Sequence, residues 1–158
     1  MSKEIMKQQW NEMASKNPFF GITSWPEFEK IDSIHLNRFR EIGRIHTDNL
    51  MAKVGLHNTR HLRMIEIGCG IGRMTHRFSE LFKEVYAMDI SQEMLEKARQ
   101  HWAHLRNVHF IEGSGEDLQP MTDQSVEFVF SFYVLNHVTR PESMRKRIRD
   151  GLRFSGKR

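Results

Sequence analysis

The sequence predicts an α/β fold with a doubly wound, mostly parallel, Rossmann-like sheet behind an N-terminal helical extension. From residue 63 onward, short apolar segments alternate with helical segments, a pattern typical of βαβ units and a parallel sheet. The first apolar segment runs into three alternating glycines, Gly68, Gly70 and Gly72. The second ends at Asp89, at the sheet edge where such folds bind ligands.

The first 60 residues contain helical patterns and no strand pattern. Apolar spacing predicts helices over residues 3–16 and from 27 to about 54. Breaks are expected at 17–21, which contains a proline and a glycine, and again at Trp25-Pro26. We therefore expect a helical lid or extension over 1–60 and a ligand-binding core over 61–158.

Four strands and three helices are predicted in the core. Ser91 is a candidate N-cap for the second helix, and Thr139 opens a capping-box pattern for the third. The strands are expected at 64–67, 85–89, 108–112 and 126–133, and the helices at 72–82, 91–105 and from 139 onward.

Composition indicates a globular protein outside the membrane. Apolar residues make up 39% and charged residues 28% of the 158 positions. No apolar run approaches the ~20 residues that a membrane helix needs, and the N-terminus lacks a signal-peptide pattern. The single cysteine, Cys69, excludes an internal disulfide, so we expect a cytoplasmic protein.

Positive charge is concentrated near the end of the chain. Residues 140–158 contain eight Lys or Arg and two acidic residues, within a net charge of +4. Such a segment can bind nucleic acid, but a solvated helix face explains it more simply. Nucleic acid therefore remains a secondary partner hypothesis.

The residues around the glycines favour one nucleoside cofactor over another. Asp89 suits the two hydroxyls of a ribose, which also fits an NAD site. However, Arg73 stands where a dinucleotide motif has glycine or alanine. Glu66 lies within the strand end, where a buried carboxylate is costly unless paired, and a cationic ligand group would pair it.

These motifs resemble those of class I S-adenosylmethionine-dependent methyltransferases. Glu66-Ile67-Gly68-Cys69-Gly70-Ile71-Gly72 is similar to their first motif, and Asp89 to their acidic second motif. The segments 112–118 and 127–138 resemble the regions after strand three and at the end of strand four. The resemblance covers about residues 63–155, and Trp10 with Asn17-Pro18-Phe19 resembles the lid of some members.

The resemblance implies S-adenosylmethionine as cofactor and a small molecule as methyl acceptor. It places the glycine loop under the methionyl part, Glu66 near the amino group, Asp89 on the ribose and Ile90 on the adenine. Many relatives have Asp where this chain has Ser114, so Ser114 or Asp117 would replace that carboxylate. The implied cofactor-binding residues are Glu66, Gly68, Cys69, Gly70, Gly72, Asp89, Ile90, Ser114, Gly115, Glu116, Ser131 and Tyr133.

Catalysis depends mainly on alignment, because methyl transfer needs donor and acceptor in line. A general base is needed only if the acceptor loses a proton, and His137 is the candidate, although a structural role at the strand end is favoured for it. Cys69 is expected to pack rather than react. His57 with His61 and His101 with His104 lack further ligands, so no metal is expected.

The resemblance ends before the family's seven-strand sheet is complete. Strands one to four are present, and strand four would be an exposed, apolar sheet edge. The chain would then be truncated, or paired through that edge in a homodimer, or a non-catalytic S-adenosylmethionine-binding protein. An NAD-dependent oxidoreductase is the lesser alternative. No Asn/Asp-Pro-Pro-Tyr/Phe sequence follows strand four, which favours a small-molecule acceptor over nucleic acid.

Overall fold

The structure, a computed structural model, describes residues 2–29, 34–114, 117–122, 125–134 and 142. Strands and helices alternate after an all-helical N-terminal part. The helices are α1 (Lys3–Lys16), α2 (Pro18–Thr23), α3 (Ile34–Val54), α4 (Thr75–Leu81) and α5 (Gln92–His101). The strands are β1 (Arg63–Ile67), β2 (Glu84–Asp89), β3 (Val108–Glu112) and β4 (Phe128–Ser131).

The four strands form one parallel sheet in the order β3-β2-β1-β4. In this register Ile67 of β1 lies between Met88 of β2 and Ser131 of β4. All four strands therefore end at the same edge of the sheet, and the chain reverses its strand order at β1. Ligands bind at such switch points in doubly wound folds, so the predicted fold class is confirmed.

Apolar side chains cover both faces of the sheet. One cluster contains Met64 of β1 and Val85 of β2, with Phe78 of α4 packed against them. A second contains Ile65 and Ile67 of β1 with Leu118 and Val126 from the segments around β4. Neighbouring β1 residues thus enter opposite clusters, as the two-residue period of a strand requires.

The N-terminal helices pack onto the core through their own buried cluster. Phe19, Phe28 and Phe39 pack there with Ile71 of the loop after β1 and Met94 of α5. Ser91 caps α5 by accepting a hydrogen bond from the Met94 amide, and its hydroxyl donates to Asn11 of α1. The N-terminal part and the sheet therefore share buried surface.

Two predictions for the N-terminal part need correction. The first helix ends at Lys16 and Asn17 is extended, as expected, but the break is confined to Asn17. A new helix, α2, begins at Pro18, because proline is tolerated in the first turn and Asn17 caps the helix. The next helix does not begin at 27. Pro26–Phe28 form a 3-10 turn and α3 begins at Ile34. The Asn17 side-chain amide donates to the carbonyls of Phe28 and Glu29, which takes acceptors that a helix would need.

Three predicted core elements are shorter in the structure. The helix expected at 72–82 begins only at Thr75, because Gly72 has a φ of +85° and a turn follows it. The helix expected at 91–105 ends at His101. The strand expected at 126–133 covers Phe128–Ser131, and Tyr133 has a φ of +57° that extended backbone does not adopt. Most of the helix expected from 139 lies outside the described residues.

Candidate functional site

A cavity of about 680 Å³ lies at the carboxyl edge of the sheet. Its floor comes from residues at or after the ends of the four strands, such as Gly68, Asp89, Gly113 and Phe132. Residues of the N-terminal part also line it. They are Met6, Trp10, Gly21, Ile22, Thr23, Ser24, Trp25 and His46.

The glycine loop forms one wall of this cavity through Gly68 and Gly70. Both have positive φ angles, +75° and +55°. A Cβ atom on Gly68 would lie 2.0 Å from Val134 Cγ2, and one on Gly70 would lie 2.7 Å from Ile22 Cδ1. Both positions therefore favour glycine, because a side chain there would be strained by the backbone angle and would require Val134 or Ile22 to move.

The amides of the loop are bonded within the protein. The Gly68 and Cys69 N–H groups donate to Met88 O, at 2.7 and 3.0 Å, and the Gly72 N–H donates to Cys69 O. The Gly70 N–H donates to Asp89 Oδ2 at 2.8 Å. Four N–H groups of the loop are therefore engaged within the protein, and α4, with seven residues, begins three positions after Gly72.

Asp89 lies at the end of β2 and lines the cavity. Its Oδ2 accepts from the Gly70 amide, and its Oδ1 accepts from the Ser91 amide at 2.9 Å. These two bonds fix the carboxylate between the glycine loop and the start of α5. Each carboxylate oxygen can accept more than one hydrogen bond, and Asp89 presents this group at the cavity wall.

Glu66 is buried behind the loop, with 4% of its surface exposed, and does not line the cavity. Its Oε2 accepts a hydrogen bond of 2.6 Å from the Thr75 hydroxyl. Burial raises the pKa of Glu66 to about 7, although the Thr75 hydrogen bond and the charge of Arg73 oppose this. The sequence suggested a ligand cation as its partner, whereas the structure supplies a hydroxyl.

Arg73 lines the cavity at the end nearest β4. Its guanidinium donates to His46 Nδ1 at 3.0 Å and lies 5.5 Å from the centre of the Phe132 ring. The His46 ring also packs near Trp25 and Phe132, at 6.1 and 6.0 Å between ring centres. Burial, and then the charge of Arg73, lower the pKa of His46, so its imidazole is neutral near pH 7.

The structure brings some of the sequence-predicted residues together and not others. Gly68, Gly70, Asp89, Ile90 and Tyr133 line the cavity, and the Tyr133 side chain is 70% exposed. Gly115, Glu116 and His137 lie outside the described residues. The predicted residues that do not line the cavity are Glu66, Cys69, Gly72, Ser114 and Ser131.

Three of those residues off the cavity differ in their surroundings. The Cys69 thiol is buried beside Ala87 and Leu95. The hydroxyl of Ser114 donates to Asp117 Oδ1 and accepts from the Asp117 amide. The buried Ser131 hydroxyl has no hydrogen-bond partner among the described residues. Asp117, which the sequence suggested as a substitute for Ser114, does line the cavity.

Sequence reasoning missed the cavity roles of His46, Arg73 and Phe132. Arg73 had a usable signal, because it directly follows the last glycine of the loop. His46 had none, since it lies within a long helix and reaches the cavity only through the packing of α3. The sequence placed Phe132 in a strand. In the structure it follows the end of β4, and its ring lies beside the Arg73 guanidinium.

A family model described as a methyltransferase domain matches residues 65–157, more than half of the chain. The chain belongs to this family. Among curated relatives, a malonyl-[acyl-carrier protein] O-methyltransferase of Pectobacterium atrosepticum is 33% identical over 60% of this chain. Phosphoethanolamine N-methyltransferase 1 of Caenorhabditis elegans is 29% identical over 56% of it. The chain spans only 35% and 18% of these two relatives.

Solved structures of methyltransferases share the fold. The YcgJ protein of Bacillus subtilis is 29% identical, with a TM-score of 0.59 over 70% of this chain and 46% of its own. A Haemonchus contortus phosphoethanolamine N-methyltransferase, in complex with phosphoethanolamine and S-adenosylhomocysteine, is 18% identical. Its TM-score is 0.72 over 96% of this chain and 29% of its own.

The predicted family is thereby confirmed. No helix in the described part of this methyltransferase-family chain combines the length and apolar character needed to cross a bilayer.

Proposed function

We propose that this protein binds S-adenosylmethionine and transfers its methyl group to a small-molecule acceptor. The observation that carries the proposal is the joint placement of Asp89 and the glycine loop on one cavity wall. Gly70 links them directly, since its amide donates to the Asp89 carboxylate. A carboxylate held this way can accept hydrogen bonds from both hydroxyls of a ribose.

The same wall fits S-adenosylmethionine better than NAD. The loop amides are bonded to Met88, Cys69 and Asp89, so they are not available as a pyrophosphate cradle. S-adenosylmethionine carries no phosphate and needs only close passage over the loop, which the missing Cβ atoms of Gly68 and Gly70 allow.

In this proposal the chain's own groups mainly hold and orient. Asp89 binds the ribose, Ile90 contacts the adenine, and Asp117 accepts from the adenine amine in place of Ser114. The backbone of Gly115 and Glu116 would meet the adenine edge. Glu66 supports the loop through Thr75 and acts on the ligand's amino group only indirectly, because it does not line the cavity.

Bound S-adenosylmethionine supplies an electrophilic methyl group on a sulfonium. The protein's contribution is to align the acceptor with it and to exclude water. Residues 1–60 are the proposed lid, because Trp10, Ile22 and Trp25 of this segment line the cavity. Tyr133 flanks the reactive end, whereas Ser131 lies off the cavity, and His137 is the proposed general base where the acceptor must lose a proton.

A small molecule is the proposed acceptor, because no Asn/Asp-Pro-Pro-Tyr/Phe sequence follows strand four. The names of the relatives include acceptors as different as malonyl-[acyl-carrier protein] and phosphoethanolamine, so they do not define this one. A cytoplasmic location, a homodimer through the β4 edge and a nucleic-acid contact through residues 140–158 stay predictions. Among the described residues, β4 pairs with β1 alone.

Calorimetry with S-adenosylhomocysteine and with NADH tests the proposal. We expect S-adenosylhomocysteine to bind, and Asp89→Asn to weaken it by about 10- to 100-fold through lost charge-assisted hydrogen bonds. Glu96→Gln, an exposed charge change on α5, is the matched control and should bind like the wild type. Tighter binding of NADH would overturn the proposal.

Turnover is tested separately with labelled S-adenosylmethionine and a panel of small acceptors. Methyl transfer to any of them supports the enzyme. Binding without transfer across the panel favours the alternative, a non-catalytic S-adenosylmethionine-binding protein.

A further inference from the structure

Arg73 is a buried cation that faces the cavity. Only 8% of its surface is exposed, yet it is one of the residues that line the open space. A guanidinium carries five N–H donors. Among the described residues, its hydrogen-bond acceptor is the neutral His46 ring, and no carboxylate pairs with it within 4 Å.

The position of this side chain is built into the packing of α3. A Cβ atom on Gly43 would lie 1.8 Å from the Arg73 carbonyl oxygen, so only glycine allows α3 to approach the loop so closely. His46 lies one turn further along α3, beside the guanidinium. On the other side, the His76 ring donates from Nδ1 to the Arg73 carbonyl.

The nearest negative charge does not neutralise Arg73 within the cavity. Glu66 interacts with it electrostatically, but the Glu66 carboxyl is bonded to Thr75 behind the loop. Its pKa of about 7 also leaves it partly protonated near neutral pH. A buried charge without a close counter-ion is costly, so an anion in the cavity would lower the free energy of this site.

The end of the cavity near Arg73, the cationic end, is separated by the width of β1 from the end near Asp89, where the ribose is proposed to bind. Asp89 ends β2, Phe132 follows β4, and β1 lies between these two strands. With neighbouring strands ~4.8 Å apart, the two ends are about 10 Å apart, which is the scale of a nucleoside with its side chain.

We infer that Arg73, oriented by His46 and Phe132, binds a carboxylate or phosphate group at the reactive end of the cavity. The inference rests on the proposed function for what surrounds that anion. The anion is either the methionyl carboxylate of the cofactor or an acidic group of the acceptor, which would make the acceptor an anionic small molecule. Planar N–H pairs of arginine suit both groups.

Calorimetry with two nucleosides distinguishes the two sources. S-adenosylhomocysteine has the carboxylate, whereas 5′-methylthioadenosine lacks the whole amino-acid part. If the cofactor supplies the anion, Arg73→Met weakens the binding of S-adenosylhomocysteine by about 10- to 100-fold and leaves the binding of methylthioadenosine unchanged. If the acceptor supplies it, both nucleosides bind the variant as they bind the wild type. In that case, binding of phosphate or acetate to the S-adenosylhomocysteine complex is lost.

Matched variants separate the effect of removing the Arg73 charge from the effect of a folding defect. Arg73→Lys keeps the charge and should retain part of the binding, and Arg106→Met removes an exposed arginine away from the cavity and should change nothing. Should Arg73→Met fail to fold, His46→Leu keeps the charge and removes its orienting acceptor. We expect the affinity of the His46→Leu variant for the same ligand to fall by a few-fold.

The inference is overturned if Arg73→Met folds and alters neither nucleoside binding nor anion binding. Failure of the proposed function looks different. The wild type would then bind neither nucleoside, while Arg73-dependent binding of phosphate would still support the anion site.

Discussion

Replacing Glu66 with glutamine is expected to remove a pH dependence that the wild-type protein's stability carries. Glu66 is buried, and its pKa in the folded protein is about 7, against 4.5 for an unperturbed glutamate. Between these two values the folded state holds a proton that the unfolded state has released. The free energy of unfolding therefore falls as the pH rises through this window.

The magnitude follows from the two pKa values. Linkage between 4.5 and about 7 predicts that Glu66 lowers stability by about 2 kcal/mol between pH 5.5 and pH 8. Glutamine does not ionise, and its carbonyl can still accept the Thr75 hydroxyl. The Glu66→Gln protein should therefore lack this decrease and exceed the wild type in stability at pH 8.

Urea unfolding at several pH values, followed by fluorescence and circular dichroism, measures the effect. Glu96→Gln controls for the loss of one negative charge, and its curve should run parallel to the wild type. Thr75→Val removes the hydrogen bond that favours ionised Glu66, so it should cost more at pH 8 than at pH 5.5. Parallel curves for the wild type and Glu66→Gln would refute the reasoning.

Three further substitutions test the packing around the loop. Gly43→Ala places a Cβ 1.8 Å from the Arg73 carbonyl oxygen and should lower the free energy of unfolding in urea by at least about 1–3 kcal/mol. The control Ala52→Gly, at an exposed position on the same helix, should lower it by only about 1 kcal/mol. Equal losses of stability in the two variants would contradict the close approach. Trp102→Phe removes the 2.8 Å hydrogen bond from the indole N–H to Ile71 O, with an expected loss of about 1–3 kcal/mol that an unchanged stability would disprove. Gly70→Ala strains a residue at φ +55° and should weaken S-adenosylhomocysteine about tenfold by calorimetry, whereas wild-type affinity would show that the loop tolerates a side chain.

Local signals in the sequence predicted most of the core. Val108–Glu112 matches its predicted strand, and the ends of β1 and β2 at Ile67 and Asp89 were also expected. Element ends were less predictable where a distant group intervenes. The Asn17 amide takes the carbonyls of Phe28 and Glu29, and nothing in the local pattern shows that contact.

The residues of the candidate site likewise divide into those that local sequence features predict and those that they do not. Gly68, Gly70 and Asp89 were predictable because glycine spacing and a strand-terminal carboxylate are local features. Glu66 was singled out correctly as a costly buried carboxylate, but its partner is Thr75, nine residues along the chain on the next helix. His46 could not be predicted, because its nearness to Arg73 depends on how α3 packs.

By itself the sequence determined the alternation of strands and helices, the glycine loop and the carboxylate after β2, because each depends on neighbouring residues. Only the tertiary structure decided which buried charge faces the cavity. Glu66 and Arg73 lie seven positions apart, yet one is bonded behind the loop and the other is directed into the open space. That difference depends on contacts with distant segments, such as the His46 ring of α3 beside Arg73 and the close approach of Gly43 to the Arg73 carbonyl, and such contacts leave no local pattern.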